Sequence, residues 1–349
     1  MKKMAAFPPL KLGAAYHGNR ILKHVREDML DMVNNNMNMV VHMYTHNDMM
    51  RHHNVLRDIV SISEELGLET WIDNWGINGA PGDKGLFVSI NPTERMIYSD
   101  GTPHPDKGCY NSEKLVEFTK TWIDYVKEAG GKTIFWDAPC LLGTPEKFTC
   151  CCDTCKKLFE EKFNKPMPNT LTDEVVEFRT WTIENYFRRV TAYARELGII
   201  NTVCVMFSPM HGISLDNLDR LAGIETLENV GCDPYWSGRY TGTDVYGHVY
   251  NRTKQNIELC KKFGKDHNVW LQSFGIAAGH ENDIILATEA AYDAGARTIL
   301  NWSYRAGESN DYGAAKPDVA WAATCEAFRR IRNRYMDEQL ASARADFRN

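Results

Sequence analysis

The 349-residue sequence lacks any stretch approaching the roughly 20 apolar residues that cross a bilayer, so no membrane span is expected. It lacks a surplus of positive charge. Lys plus Arg number 40 against 46 Asp plus Glu, a formal charge of −6, and nothing is left over to neutralise phosphate, which excludes nucleic acid as an expected partner. The opening Met-Lys-Lys-Met-Ala-Ala-Phe-Pro-Pro lacks an apolar run of signal-peptide length. With ten cysteines and no export signal, a reducing, cytoplasmic setting is expected, where thiols serve as metal ligands or core residues. No Gly-x-Gly-x-x-Gly turn follows the first strand, which argues against a doubly wound dinucleotide fold. No His-x-His or His-Glu-x-x-His pattern occurs, so His42, His46, His52 and His53 do not read as a metal set. Hydrophobic residues at 43% and charged residues at 25% describe an ordinary globular chain with a sizeable core.

Short runs rich in β-branched and aromatic residues begin near Leu12, Met37, Glu69, Lys132, Thr202, Asn229, Asn268 and Thr298. They suit strands covered on both faces. Between them, Arg20–Val33, Met50–Leu66, Asn111–Ala129, Thr172–Leu197, Ser214–Ala222, Val249–Phe263, Glu281–Asp293 and Asp318–Tyr335 carry helical spacing. Several of these helices end on glycine, as at Gly67, Gly130, Gly198 and Gly295. Strand–helix alternation implies parallel βαβ units, and eight of them predict a single (β/α)8 TIM barrel spanning 1–349. The intervals from Glu69 to Lys132 and from Lys132 to Thr202 are 63 and 70 residues, against 25 to 39 elsewhere. Enlarged loops after strands three and four, at about 76–110 and 138–169, are therefore expected over the C-terminal mouth, where barrels build active sites.

The second insertion holds Cys150, Cys152 and Cys155 in a Cys-x-Cys-x-x-Cys cluster, and the first contributes the isolated Cys109. A dense cluster on polar loops has no core to be buried in, so four thiolates around a structural zinc are expected, with Cys151 a bystander and Cys140 a substitute for Cys109. Cys204, Cys232, Cys260 and Cys325 read as small core residues.

Phe-Trp-Asp-Ala-Pro at the end of strand four, followed by the cysteine cluster and Lys-Lys-Leu-Phe-Glu-Glu-Lys-Phe, resembles the barrel domain of family 42 β-galactosidases and related clan-A glycoside hydrolases. The specific match covers roughly Cys109–Phe163. The resemblance implies zinc held by Cys109, Cys150, Cys152 and Cys155, and an acid at the end of strand four, where Asp137 falls. The family's second carboxylate is a Glu at the end of strand seven, but this chain has Gln272, which cannot act as a nucleophile. Asp233, after strand six, is the best replacement, with Asp73 and Glu308 as further candidates. Carboxyls roughly 6.5–9.5 Å apart would suit inversion through a water.

Strand ends also concentrate side chains that bind sugars. Trp75, Trp236 and Trp302 offer flat apolar faces, and Tyr16, Tyr44, Tyr235 and Tyr304 add hydroxyls. His17, His42, Asn74, Gln272 and Asn301 are hydrogen-bonding candidates, and alternate strand residues point into the barrel, so only part of this set can share one pocket. The expected function is a glycoside hydrolase-like enzyme on a small glycoside or oligosaccharide, with Asp137 as acid and Asp233 as second carboxylate. Its rivals are a sugar isomerase or lyase on the same barrel, or a non-catalytic sugar-binding barrel. An acidic barrel with aromatic-rich loops is also compatible with a homo-oligomer.

Overall fold

A computed structural model of the chain describes residues 9–75, 86–141, 143–205, 218–237 and 244–346. Three expectations reach beyond them: the reading of the first eight residues, the part of the first insertion at 76–85, and the first turn expected for the helix Ser214–Ala222. Eight parallel strands close into a barrel: β1 (Lys11–Tyr16), β2 (Met39–Met43), β3 (Glu69–Asp73), β6 (Thr133–Trp136), β7 (Ile200–Val205), β8 (Asn229–Cys232), β9 (Asp266–Gln272) and β10 (Thr298–Trp302). Each pairs with its sequence neighbour, and β1 pairs with β10 to leave no open edge. The chain is a TIM barrel, as the alternation of elements predicts.

Helices cover the outside: α1 (Leu22–Asn34), α2 (His46–Arg51), α3 (His53–Glu65), α5 (Glu113–Glu128), α7 (Asp173–Glu196), α8 (Leu218–Ala222), α9 (Val245–Phe263), α10 (Asp283–Asp293) and α11 (Pro317–Asp346). Their starts are written locally. The Ser112 hydroxyl accepts from the Leu115 N–H, and Thr172 accepts from Val175. Gly198, at φ 74°, takes the left-handed turn that ends α7 and returns the chain to β7.

Helix α9 starts four residues before the expected Val249, and two helices differ more. The expected Met50–Leu66 is split, because Thr45 and Asp48 form a capping box that starts α2 early and His52 breaks the run before α3. The final helix continues eleven residues past Tyr335 to Asp346, since no glycine or proline interrupts the good helix formers that follow.

The enlarged loops form a cap. A short helix α4 (Leu86–Ile90) leads into the antiparallel pair β4 (Arg95–Ile97) and β5 (Pro103–Gly108). The loop after β6 then lies along that hairpin: Tyr98 bridges Thr149, and the Cys151 N–H donates to the Ile97 carbonyl at 2.7 Å. Helix α6 (Asp153–Phe163) follows. The buried Arg179 of α7 anchors this loop by donating to the carbonyls of Thr149 and Leu141.

Candidate active site

The pleat decides which strand-end side chains enter the barrel. Ala15, Met43, Trp71, Phe135, Cys204, Trp270, Leu300 and Trp302 pack together as the interior, with Trp75, Tyr235 and Phe274 against them. Counting on by two from these residues brings Asp73, Asp137 and Asp233 inward at the C-terminal ends of β3, β6 and β8.

The three carboxyls differ in their surroundings. The Asp73 side chain is wholly buried, and although the Trp75 backbone N–H faces it, neither carboxyl oxygen has a hydrogen bond of proper geometry. Burial, then the neighbouring Asp137, pushes its pKa well above the usual carboxylate range. Asp137 is likewise raised well above that range, by burial and then by Asp233, while the Lys107 ammonium acts the other way. Its backbone N–H donates to Asn74 Oδ1 at 3.3 Å, which ties the ends of β3 and β6 together. Asp233 is raised only to about 6: burial lifts it, and the Cys204 thiol, which donates to Oδ1, eases the charge. A backbone turn from the Tyr235 N–H to the Asp233 carbonyl at 2.8 Å follows this carboxylate.

An aromatic wall stands beside the acids. The His17 ring lies 4.6 Å from Trp75 and 5.1 Å from Trp302, edge-on to both, and the two indoles are 6.2 Å apart. Burial lowers the His17 pKa to about 4, so the ring is neutral at pH 7, and its Nε2 is buried without a partner. Tyr235 packs edge-on to Phe274 at 5.2 Å. Gln272 also belongs to this end of the barrel, but its amide is committed to the backbone. Oε1 accepts from the N–H groups of Trp236 and Ser237, and Nε2 donates to the Phe274 carbonyl, so it holds the loop after β8 rather than presenting itself to a substrate.

The structure turns seven of the expected sugar contacts toward other partners. Tyr16 and Tyr304 turn to the helix layer and share the carboxylates of α1: Tyr16 donates to Asp28 at 2.6 Å, and Tyr304 to Asp31 at 3.1 Å. His42 meets Ser63 of α3 at 2.9 Å, and Tyr44 meets His53 at 2.9 Å. Trp236 is buried with the outer core cluster. Asn301 also faces outward, between inward Leu300 and Trp302. Glu308 is ion-paired with Arg305 at 2.5 Å.

Two residues near Asp137 carry no motif. Lys107 comes from β5 in the cap, two residues before Cys109, and is buried where its charge acts on Asp137 and Cys140. Tyr312, after β10, hydrogen-bonds Trp302 and faces Asp137. A lysine two residues before a predicted metal ligand was the available signal for the first; nothing in the sequence marks the second.

The cap also assembles a candidate metal centre. The sulfur atoms of Cys109, Cys150, Cys152 and Cys155 all lie within 4.8 Å of one another, with Cys109 to Cys155 at 3.4 Å and Cys109 to Cys152 at 3.6 Å. Four thiolates each about 2.3 Å from one zinc would stand about 3.8 Å apart, so the donor set fits that ion. Asn111 adds an N–H from its backbone to Cys109 and one from its side chain to Cys155, both at 3.4 Å. Such donors stabilise thiolate ligands. Cys140 lies outside the group.

Neither a protein-family model nor a curated protein sequence matches the chain, so the likeness to family 42 rests on its motif alone. Solved structures do match. The catalytic domain of a β-amylase from Paenibacillus polymyxa superposes with a TM-score of 0.62 at 8% identity, over 90% of this chain and 98% of that one. An endo-β-1,4-mannanase from Thermotoga petrophila gives 0.58 at 12% identity, over 93% and 76%. A D-psicose 3-epimerase from Clostridium cellulolyticum H10 gives 0.51 at 8% identity, over 93% and 99%. At such identities the likeness establishes the barrel alone, and the chemistry must come from this chain's own residues. No described helix is long and apolar enough to cross a membrane.

Proposed function

We propose that the barrel hydrolyses a small glycoside or oligosaccharide, with Asp137 as general acid and Asp233 as the second carboxylate. The observation that carries this reading is the split between two acids in one mouth. Burial and the neighbouring Asp233 make Asp137 hold its proton well beyond the usual carboxylate range, while Asp233, at about 6, gives its proton up more readily. Glycoside hydrolysis needs that division. Asp137 donates its proton to the glycosidic oxygen as the C–O bond breaks, and the Asp233 carboxylate meets the opposite face of the sugar, either directly or through a water whose proton it accepts. The barrels of a β-amylase and an endo-β-1,4-mannanase are compatible scaffolds. Cys109, Cys150, Cys152 and Cys155 would hold a zinc ion structurally, since four thiolate ligands would leave no position for substrate or water, and the ion would tie the two insertions together over the mouth.

A panel of neutral p-nitrophenyl glycosides tests the proposal, with the anomer of the first-formed sugar read by NMR. Release of nitrophenol by the wild type is expected, as is loss in Asp137→Asn of activity on the matching alkyl glycosides, whose leaving oxygen needs the proton. Full activity of that variant on the alkyl glycosides, or isomerisation of free sugars without hydrolysis, overturns it.

A further inference from the structure

Resting on that reading, we propose that the corner formed by Asp73, His17 and Trp75 is the ring-holding subsite, and that it takes a neutral pyranose by two adjacent free hydroxyl groups. The support is a deficit in the protein's own hydrogen bonding. Both Asp73 oxygens and His17 Nε2 are buried, and among the described residues none has a hydrogen bond of proper geometry, although the Trp75 backbone N–H faces Asp73. Buried polar atoms left unpaired cost about 1–3 kcal/mol each, and folded proteins seldom tolerate them in one place without a purpose. Asp73 stands two residues before Trp75 on the same inward face, and His17 packs against the Trp75 ring. Trp75 therefore links the two residues, its ring against His17 and its backbone N–H toward the Asp73 carboxyl.

A sugar ring satisfies this arrangement. Its C–H face covers Trp75, two neighbouring hydroxyls meet the two carboxyl oxygens of Asp73, and a third reaches His17 Nε2. A single hydroxyl or an apolar ligand leaves part of the deficit standing. Charge narrows the class further. Asp137 and Asp233 share the mouth with Asp73, and the Arg20 guanidinium beside His17 is held by Asp48 at 2.9 Å and by the carbonyls of Gly18 and Met43. A uronate or other acidic sugar would bring its charge toward Asp233, the most readily ionised of the three carboxyls, and would raise the cost of ionising Asp73 and Asp137 further, with Lys107 acting the other way on Asp137.

The test is binding rather than turnover. Asp137→Asn protein is titrated with D-glucose, D-galactose and D-mannose, with the 2-, 3- and 4-deoxy forms of whichever binds, and with D-glucuronate, following tryptophan fluorescence and calorimetry. Binding of a neutral hexose is expected, with a loss of roughly tenfold to a hundredfold on removing either of two adjacent hydroxyls and little on removing the other. Glucuronate should bind more weakly than glucose. Adding Asp73→Asn, which keeps shape and one acceptor, should erase most of the difference between the hexose and its sensitive deoxy forms. The idea fails if no neutral hexose binds, if the folded Asp73→Asn double variant binds and discriminates as before, or if glucuronate is preferred. Sugar binding of this pattern without cleavage of any glycoside by the wild type would leave the subsite standing and remove the hydrolytic reading. Cleavage with KM unchanged by Asp73→Asn would do the reverse.

Discussion

Asp137 stands two residues beyond Phe135, the register partner of Asp73, so two carboxyls enter the barrel mouth from adjacent strands on the same face. The offset recurs two strands further round the barrel. Cys204 pairs with Gly231, and Asp233 lies two residues beyond it. In the first pair a carboxyl faces a carboxyl and both are pushed to high pKa; in the second a thiol faces a carboxyl and donates to it. The same backbone relationship thus produces a proton-holding acid on one side and a more readily ionised one on the other.

The Cys204 contact predicts a shift in the pH profile. Asp233 is faced by the Cys204 thiol and by Asp137, with Cys232 adjoining it in sequence. Removing the thiol in Cys204→Ala removes the group that eases the charge, so the acid limb of kcat/KM should move up from about 6, while Cys204→Ser, which keeps a donor, should move it little. An acid limb indifferent to both changes would detach Cys204 from Asp233.

Asp73 predicts a gain of stability on losing its charge. Its folded pKa is raised, so between the unfolded value near 4 and the folded value the native state binds more protons than the unfolded chain, and stability falls as pH rises. Asp73→Asn is free of that penalty. Urea unfolding should find the variant close to wild type at pH 4 and more stable at pH 7, the gap widening by up to about 1.4 kcal/mol per pH unit across the window. A constant gap would mean that Asp73 ionises as easily in the fold as outside it.

The role of Asp137 as acid predicts a dependence on the leaving group. Asp137→Asn should lower kcat/KM by about 10²- to 10⁴-fold for alkyl glycosides, whose leaving oxygen needs a proton, and by less for p-nitrophenyl glycosides. Asp233→Asn should impair both alike. Equal losses for the two leaving groups in Asp137→Asn would assign it another role.

Strands and helices were legible because burial on both faces of a strand and on one face of a helix leaves a different period in the sequence. The face on which a particular strand-end residue falls was less legible. Tyr16 and His17 are neighbours, yet one hydrogen-bonds α1 and the other meets Trp75 and Trp302. A one-residue change in where a strand is taken to start reverses that assignment. Gln272 raised a separate difficulty: its position points to the site, but its amide is taken up by backbone groups of a loop remote in sequence. Lys107 escaped notice because its place depends on how the cap folds back, not on any strand period.

The cysteine centre predicts one zinc per chain. Cys109 follows β5, and Cys150, Cys152 and Cys155 follow β6, so an ion bound by all four closes a loop between the two insertions that no hydrogen bond alone would hold as firmly. Cys109→Ser and Cys155→Ser should reduce the zinc measured by atomic emission and lower the melting temperature, as should prolonged chelation of the wild type. Cys151→Ser should keep its metal, since Cys151 lies outside the group whose sulfurs converge. Lys107 lies two residues before Cys109, so loss of the ion should also loosen the lysine over Asp137 and reduce kcat/KM beyond what the change in folded fraction accounts for. Protein carrying no zinc, and melting alike with and without chelator, would leave the four thiols as a core cluster and place the cap's cohesion in its backbone bonds and Arg179.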